Sequence, residues 1–166
     1  MVKQSATLDT SFWIHAHKAG LSTSVLDDFE LHCSLVVAAE LKEDFEAGRL
    51  FWKLVQDGQV LRAESRLDAV TMFGSGERSA MNLALEHPGW FLLIDDWRPL
   101  EAAQNLGIPA ICSPVLVVKM FREGKLQLGE ALRSLTRLTR TGTVSPRLLT
   151  PAAALLRLAA KEREIR

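Results

Sequence analysis

The feature that most constrains the fold is an apolar run at residues 90–94, which ends directly on Asp95 and Asp96. An unbroken apolar run without polar alternation is typical of a central parallel strand, because such a strand is buried on both faces. Shorter apolar stretches elsewhere alternate with segments of helical length. This alternation predicts an α/β fold with a central parallel sheet and helices on both of its faces.

Local signals predict where the helices begin. Thr10 or Ser11 is expected to cap the first helix, and Ser34 is expected to cap a later one. Glu77 is expected in the first turn of its helix, where a carboxylate interacts favourably with the helix dipole. Pro151 is expected at the first position of the last helix, because proline is favoured there.

Length and composition narrow the class of protein. A chain of 166 residues with 48% hydrophobic residues suits one ordinary domain with its own core. No stretch reaches the ~18 apolar residues of a membrane span, and no apolar run follows the N-terminus as in a signal peptide. Cys33 and Cys112 stand alone in apolar surroundings, so we expect buried, reduced thiols in a cytoplasmic protein.

Charge is distributed unevenly along the chain. Residues 1–118 hold 9 Lys/Arg and 16 Asp/Glu, a balance of −7, whereas residues 119–166 hold 11 and 4, a balance of +7. The basic C-terminal arm is interpreted either as solvated helix or as a surface that follows phosphates or docks an acidic partner.

Carboxylates occur at the positions where an open α/β sheet places its ligands. Asp9 follows the first strand, Asp95 and Asp96 follow a central strand, and Glu77 lies at the loop-to-helix junction before that strand. Ligands bind beyond the carboxyl ends of the strands, at the point where the strand order reverses, so these side chains are expected to share one crevice. Glu40 comes from a helix, so the geometry of the sheet constrains its place in this crevice less strongly. Considered one at a time, these residues also have structural interpretations. Asp9 is then a helix cap, Glu40 a solvated helix side chain, and Glu77 a carboxylate that interacts favourably with the helix dipole.

Clustered carboxylates repel one another, so they predict a bound cation. Hard oxygen ligands suit Mg²⁺ or Mn²⁺, and two such ions ~3.5–4 Å apart can hold a phosphate and activate water. No Ser–His–Asp or Cys–His arrangement competes. His15 and His17 are expected on different helix faces, as surface or hydrogen-bonded residues. The aromatic residues Phe12, Trp13, Phe51 and Trp52 are expected in the core or at a dimer interface.

Four segments in order resemble the PIN-domain family. They are residues 8–11 (LDTS), 39–41 (AEL), 76–84 (GERSAMNLA) and 92–96 (LLIDD). Residues 107–109 and 113–124 are similar to a PIN-like subfamily that carries a GE pair, a DD pair and an extended helical C-terminus. The likeness covers roughly residues 5–126. We therefore predict a PIN-like domain over 1–126 and a C-terminal helical extension over 127–166, packed on the same domain.

The resemblance implies a three-layer α/β/α sandwich and Mg²⁺- or Mn²⁺-dependent cleavage of RNA, commonly as the toxin of a toxin–antitoxin pair. It also implies a homodimer, an antitoxin that covers the acidic pocket, and no membrane association. The expected catalytic residues are Asp9, Glu40, Glu77, Asp95 and Asp96, of which all but Glu40 are expected metal ligands.

Substrate binding is assigned to Ser11, Arg98 and Lys119. The subfamily usually has an Ala-Arg pair at positions 99 and 100, where this chain has proline and Leu100. Arg98 or Lys119 is expected to replace that arginine. Asp95 and Asp96 both stay candidates for the fourth acidic position, with Asp96 favoured.

Two alternatives stay open. A catalytically inactive PIN-like module would bind RNA or a protein through its basic arm. A phosphatase with an aspartyl nucleophile is the other, although Thr10 and Ser11 after Asp9 do not match its usual Asp-x-Asp pattern.

Overall fold

The computed structural model describes residues 2–165. Within that range the strands are β1 (Gln4–Leu8), β2 (Phe29–Cys33), β3 (Val60–Arg62), β4 (Phe91–Leu93) and β5 (Ala110–Ile111). They form one sheet in the order β3-β2-β1-β4-β5, and every neighbouring pair is parallel. The predicted α/β class with a central parallel sheet is confirmed.

The helices of the described residues connect the strands and extend the chain beyond them. They are α1 (Thr10–Lys18), α2 (Ser22–Asp28), α3 (Leu35–Glu40), α4 (Glu46–Gln56), α5 (Ser75–Glu86), α6 (Trp97–Asn105), α7 (Ser113–Arg122), α8 (Leu128–Arg140) and α9 (Pro146–Ile165). Crossovers between parallel strands are right-handed in nearly all proteins, and with this strand order the rule puts the helices between β1 and β3 on one face of the sheet and α5 and α6 on the other. The layers are therefore helix, sheet and helix, as predicted.

The strand order reverses between β1 and β4. The chain runs outward from β1 through β2 to β3, and α5 then carries it back to the other side of β1. The Asp9 N–H donates to the Leu93 carbonyl at 2.9 Å, so the two strands end side by side. Such a reversal leaves a crevice beyond the carboxyl ends of the strands.

Large aromatic side chains fill the core beside α1. Phe12, Trp13 and Phe51 are fully buried, and the Trp13 and Phe51 rings meet edge to face at 6.0 Å. The indole N–H of Trp13 donates to the Ala47 carbonyl at 2.9 Å, so its one polar atom is satisfied. Fully burying a side chain the size of Phe stabilises the fold by roughly 3 kcal/mol. These residues therefore hold α1 and α4 against the sheet, as core rather than surface groups.

The C-terminal helices pack on the body of the protein. Helix α9 buries Leu148, Ala152, Leu156 and Ala159, a stripe at helical spacing that faces α7. Helix α8 packs on α7 and α1, and the Ser134 hydroxyl donates to the Ala19 carbonyl at 3.0 Å. The division of the chain at residue 126 stays a prediction.

Two predicted helix starts are wrong. Asp9, not Thr10 or Ser11, caps α1, because its carboxylate is the group that accepts from the Ser11 N–H at 3.2 Å. Helix α9 begins at Pro146, which leaves Pro151 inside the helix. Pro151 lies on the exposed face near the helix start, where the loss of one backbone hydrogen bond is offset by the buried stripe. The predicted cap at Ser34 is confirmed by its bond from the Val37 N–H at 3.1 Å.

Both cysteines are free and buried, as predicted. Burial raises the pKa of Cys33 and of Cys112 to about 12, so both are uncharged thiols. Among residues 2–165 no helix has the length and apolar character that crossing a bilayer requires.

Candidate active site

An acidic cleft of about 470 Å³ opens at the switch point between β1 and β4. A single water molecule needs only ~10–15 Å³ by this measure, so the cleft admits a phosphate group together with hydrated ions. Its walls come from the starts of α1 and α5, the end of α3, the end of β4 and the loop between α8 and α9. The lining residues are Asp9, Thr10, Ser11, Ile14, His15, Glu40, Gly74, Ser75, Gly76, Glu77, Asp95, Asp96 and Thr143. The structure thus brings together all of the acidic residues singled out in the sequence.

Asp9 is held at the head of α1. Its side chain is only 4% exposed, and one carboxylate oxygen accepts from the Ser11 N–H at 3.2 Å and from the Ser11 hydroxyl at 2.5 Å. Burial raises the pKa of the Asp9 carboxyl, and the nearby charge of Glu40 adds to that rise. Ser11 therefore orients Asp9, and the substrate binding predicted for Ser11 stays a prediction.

Glu40 enters the cleft from the last residue of α3. Its carboxylate accepts a hydrogen bond from the Thr10 hydroxyl and lies directly against Gly76 in the first turn of α5. A Cβ atom at position 76 would lie 2.6 Å from Glu40 Oε2. The absence of a side chain at Gly76 is therefore what admits Glu40 to the cleft.

Glu77 folds back over the start of its own helix. Its carboxylate accepts from the Gly74 N–H at 2.8 Å, which is half of a capping box. The preceding residue, Phe73, has a φ of 74°, and this left-handed turn directs the chain into α5. Burial raises the pKa of Glu77, and the charges of Asp9, Asp96 and Glu40 add to that rise. The carboxylates are thus close enough to repel one another.

The two adjacent aspartates have different environments. β4 has ended at Leu93, so strand alternation no longer separates them. Asp95 is 4% exposed and accepts from the Ser113 N–H at 2.6 Å, the Ser113 hydroxyl at 2.5 Å and His15 Nδ1 at 2.8 Å. Asp96 is exposed and caps α6 by accepting from the Arg98 N–H at 3.1 Å. The cleft therefore contains one aspartate surrounded by protein donors and one that is open to solvent.

His15 and Thr143 belong to the cleft and were not singled out as site residues. His15 is 5% exposed; its Nδ1 donates to Asp95, and its Nε2 shares a 2.7 Å hydrogen bond with the Thr143 hydroxyl. Ser11, Ile14 and His15 recur at helical spacing from the start of α1, and this pattern was a usable signal for His15. Thr143 lies 128 residues away in sequence and has no comparable signal.

Two predicted substrate-binding cations do not line the cleft. Arg98 is exposed in the first turn of α6, beside Asp96 in the chain, and its role stays a prediction. Lys119 lies at the opposite end of the sheet, where it pairs with Asp28 at 2.8 Å and with Glu123 at 2.8 Å. The expectation that Lys119 holds phosphate beside the acidic residues is therefore corrected.

The donor chemistry of the cleft fits a hard divalent cation. Its carboxylate and hydroxyl oxygens are the ligands that Mg²⁺ and Mn²⁺ prefer, and a cation would relieve the repulsion seen at Asp9 and Glu77. Within residues 2–165, however, no three or more Asp, Glu, His or Cys side chains are gathered closely enough to hold a metal as they stand. Asp9, Glu40 and Glu77 are instead turned toward protein donors.

The fold and the cleft define a doubly wound α/β protein with a carboxylate-lined crevice at its switch point. The sequence matches the family described as DUF3368: PIN domain over residues 22–157, and the chain belongs to this family. PIN domains are generally nucleases. The matched range includes Glu40, Glu77, Asp95 and Asp96, while Asp9 precedes it.

One solved structure that the chain resembles is that of the PIN domain endonuclease Utp24. The sequence identity is 16% and the TM-score 0.49, and the match covers 65% of this chain and 84% of that chain. No curated protein matches the sequence.

Proposed function

We propose that this protein is an Mg²⁺- or Mn²⁺-dependent endoribonuclease whose active site is the acidic cleft. The observation that carries the proposal is the convergence of carboxylates from separate segments at the switch point of a PIN-domain fold. Burial raises the pKa of Glu77 and of Asp9, and the charges of the neighbouring carboxylates add to that rise. Helix capping accounts for Asp9, Glu77 and Asp96 one by one, but it does not account for their placement with Glu40 in one cleft.

The acidic residues of the cleft have different proposed roles. Asp9, Glu77 and Asp96 are the proposed metal ligands, and Glu40 completes the carboxylate set from the α3 side. A bound Mg²⁺ or Mn²⁺ supplies Lewis-acid stabilisation of the phosphate and lowers the pKa of the attacking water.

Asp95 holds the site together through Ser113 and His15, because its oxygens already accept three hydrogen bonds from them. It therefore orients its neighbours and adds negative charge at the base of the cleft. Of the two adjacent aspartates, Asp96 is the one whose carboxylate is open to a ligand.

The direct test is metal-dependent cleavage of a labelled single-stranded RNA by the wild type and by Asp9→Asn. Asparagine is as good a helix cap as aspartate, so α1 should survive the change. We expect cleavage with Mg²⁺ or Mn²⁺, none with EDTA, and at least a hundredfold loss in the variant. Undiminished metal-dependent cleavage by a folded Asp9→Asn protein would show that the activity comes from elsewhere.

The finer parts of the proposal follow from the family resemblance. They are a cytoplasmic toxin of a toxin–antitoxin pair, a homodimer, and an antitoxin that covers the acidic cleft. Co-expression with the product of a neighbouring small open reading frame tests the antitoxin, and sedimentation of the purified protein tests the dimer.

A non-catalytic binding module is the second candidate. It is favoured by one observation, the lack of a preformed metal-ligand group among the described residues. A ligand that binds only the folded state must raise the melting temperature. A melting temperature that is unchanged by millimolar Mn²⁺, together with RNA binding but no cleavage, would favour this candidate over the nuclease.

A further inference from the structure

The acidic cleft repels the substrate that the proposed function assigns to it. Its described lining contains carboxylates from Asp9, Glu40, Glu77, Asp95 and Asp96 and no lysine or arginine. Each RNA phosphate carries a negative charge, and protein cations supply most of the affinity for a phosphate backbone. Cations that hold the substrate must therefore lie on the rims of the cleft.

Arg78 lies on the rim beside β2. It follows Glu77 in α5 and lines a second depression of about 350 Å³, which shares Ser75 with the acidic cleft. Its side chain is half-buried and forms no ion pair or side-chain hydrogen bond with any residue from 2 to 165. Glu64, Arg66 and Asp68 line the same depression, and their formal charges together with that of Arg78 sum to zero. Because Arg78 pairs with neither carboxylate, its guanidinium keeps its donors free for a phosphate.

The depression beside Arg78 also offers apolar contacts. Leu35 and Val36 at the start of α3 and Leu67 in the loop between β3 and α5 line it, and they are 43%, 38% and 42% exposed. These exposed aliphatic groups offer apolar contacts to the unpaired bases of a single strand, whereas a duplex keeps its bases stacked inside.

Arg147 lies on the opposite rim, beside β4. Its guanidinium carbon is 5.8 Å from the centre of the Trp97 ring, and Trp97 directly follows Asp96 of the cleft. Arg147 is in the first turn of α9, four residues after Thr143, which lines the cleft wall. It is exposed and has no acidic partner among the described residues. Stacking on Trp97 orients its planar donors without consuming them.

We propose that single-stranded RNA crosses the acidic cleft from Arg78 to Arg147, and that these two arginines hold the phosphates on either side of the scissile bond. The proposal rests on the proposed nuclease function and adds the path and strand type of the substrate. The two cations come from helices on opposite sides of the switch point, so a strand bound to both passes over Asp9, Glu77 and Asp96.

The test measures the affinity for a fluorescent twelve-nucleotide oligouridylate by fluorescence anisotropy. Ca²⁺ replaces Mg²⁺ in this measurement to prevent turnover. The variants are Arg78→Gln, Arg147→Gln and the double substitution. The matched control is Arg157→Gln, which removes an exposed, unpaired arginine from the same helix as Arg147, about 15 Å further along its axis. Cleavage by the wild type with Mg²⁺ is measured in parallel.

Each single variant should bind about tenfold more weakly, the double variant about a hundredfold, and the control like the wild type. The slope of log affinity against log salt should fall by about 0.7 for each arginine removed. Unchanged affinity and slope in both variants, with a wild type that cleaves, would overturn the path and leave the nuclease intact.

Equal losses in the control would also overturn the path, because the arginines would then act only through net charge. A wild type that neither binds nor cleaves the RNA would overturn the path and the proposed function together.

Discussion

Replacing Gly76 with alanine should move Glu40 within the cleft while leaving the stability of the fold almost unchanged. Gly76 is the second residue of α5, and a Cβ atom there would meet Glu40 Oε2 at 2.6 Å and Oε1 at 2.9 Å. The obstacle is the end of a flexible side chain rather than backbone, so the new methyl group can push it aside. To reach ordinary contact at 3.4 Å, the Glu40 carboxylate must retreat by about 0.8 Å.

The stability terms nearly cancel. Alanine in a helix is more stable than glycine by roughly 0.5–1 kcal/mol. Loss of the exposed hydrogen bond from Thr10 to Glu40 costs about 0.5–1 kcal/mol. The net free energy of unfolding should therefore change by less than about 0.5 kcal/mol. Catalysis is far more sensitive to position, because a misplacement of ~1 Å can cost a hundredfold in rate.

Gly129→Ala is the matched control. Gly129 is also a second helical residue followed by a capping glutamate, but its added Cβ would meet only the end of the Arg133 side chain, at 3.5 Å. Urea unfolding should show a gain of roughly 0.5–1 kcal/mol for this control and almost none for Gly76→Ala. RNA cleavage should fall by about a hundredfold in Gly76→Ala alone. If Gly76→Ala cleaves RNA as fast as the control, the position of Glu40 has no part in the reaction.

Other perturbations probe single groups. Burial raises the pKa of Asp9, so the stability held by its protonated form is lost as pH rises from ~4 through the raised value. Asp9→Asn should therefore flatten the fall of metal-free stability with pH, and parallel urea midpoint curves for both proteins in EDTA would refute this. Ser113→Ala removes a hydroxyl bond to buried Asp95 and should cost about 1.5–3 kcal/mol in urea unfolding. Asp96→Asn should shift stability by less than about 0.5 kcal/mol yet abolish cleavage, and an active variant would remove Asp96 from the site. Lys119→Met should leave cleavage unchanged, whereas a large loss would return Lys119 to the substrate path.

The sequence predicts the strands and strand ends that form the site, because these depend on local patterns of residues. The apolar run at 90–94 indicates a central strand even when the neighbouring strands are unknown, since a strand buried on both faces needs unbroken apolar residues. Asp9 and Asp96 follow strand ends, and parallel strands bring their carboxyl ends to one edge of the sheet. Gly76 is also a local feature, but its reason appears only when Glu40 is placed against it.

Contacts between distant segments are not predictable in the same way. The bond from His15 to Thr143 joins residues 128 positions apart, and it depends on how α8 packs across α1 before the loop that contains Thr143. The prediction that Lys119 lies at the site was wrong. Helix α7 begins at Ser113, beside Asp95, and six further residues carry the chain about 9 Å away from the cleft. A sequence pattern gives the helix but not the direction in which it leaves the site.

His15 connects the sheet, the cleft and the C-terminal helices in one chain of contacts. Asp95 at the end of β4 is bonded to Ser113 at the start of α7 and to His15 in α1, and His15 is bonded to Thr143 between α8 and α9. A buried aspartate needs such donors, because an unsatisfied buried charge is costly. The same bonds place Thr143 in the cleft wall, a few residues before Arg147 on its rim. Residues far beyond the strands thus complete the cleft, because His15, which is bonded to Asp95, also bonds Thr143 in the loop that leads to α9.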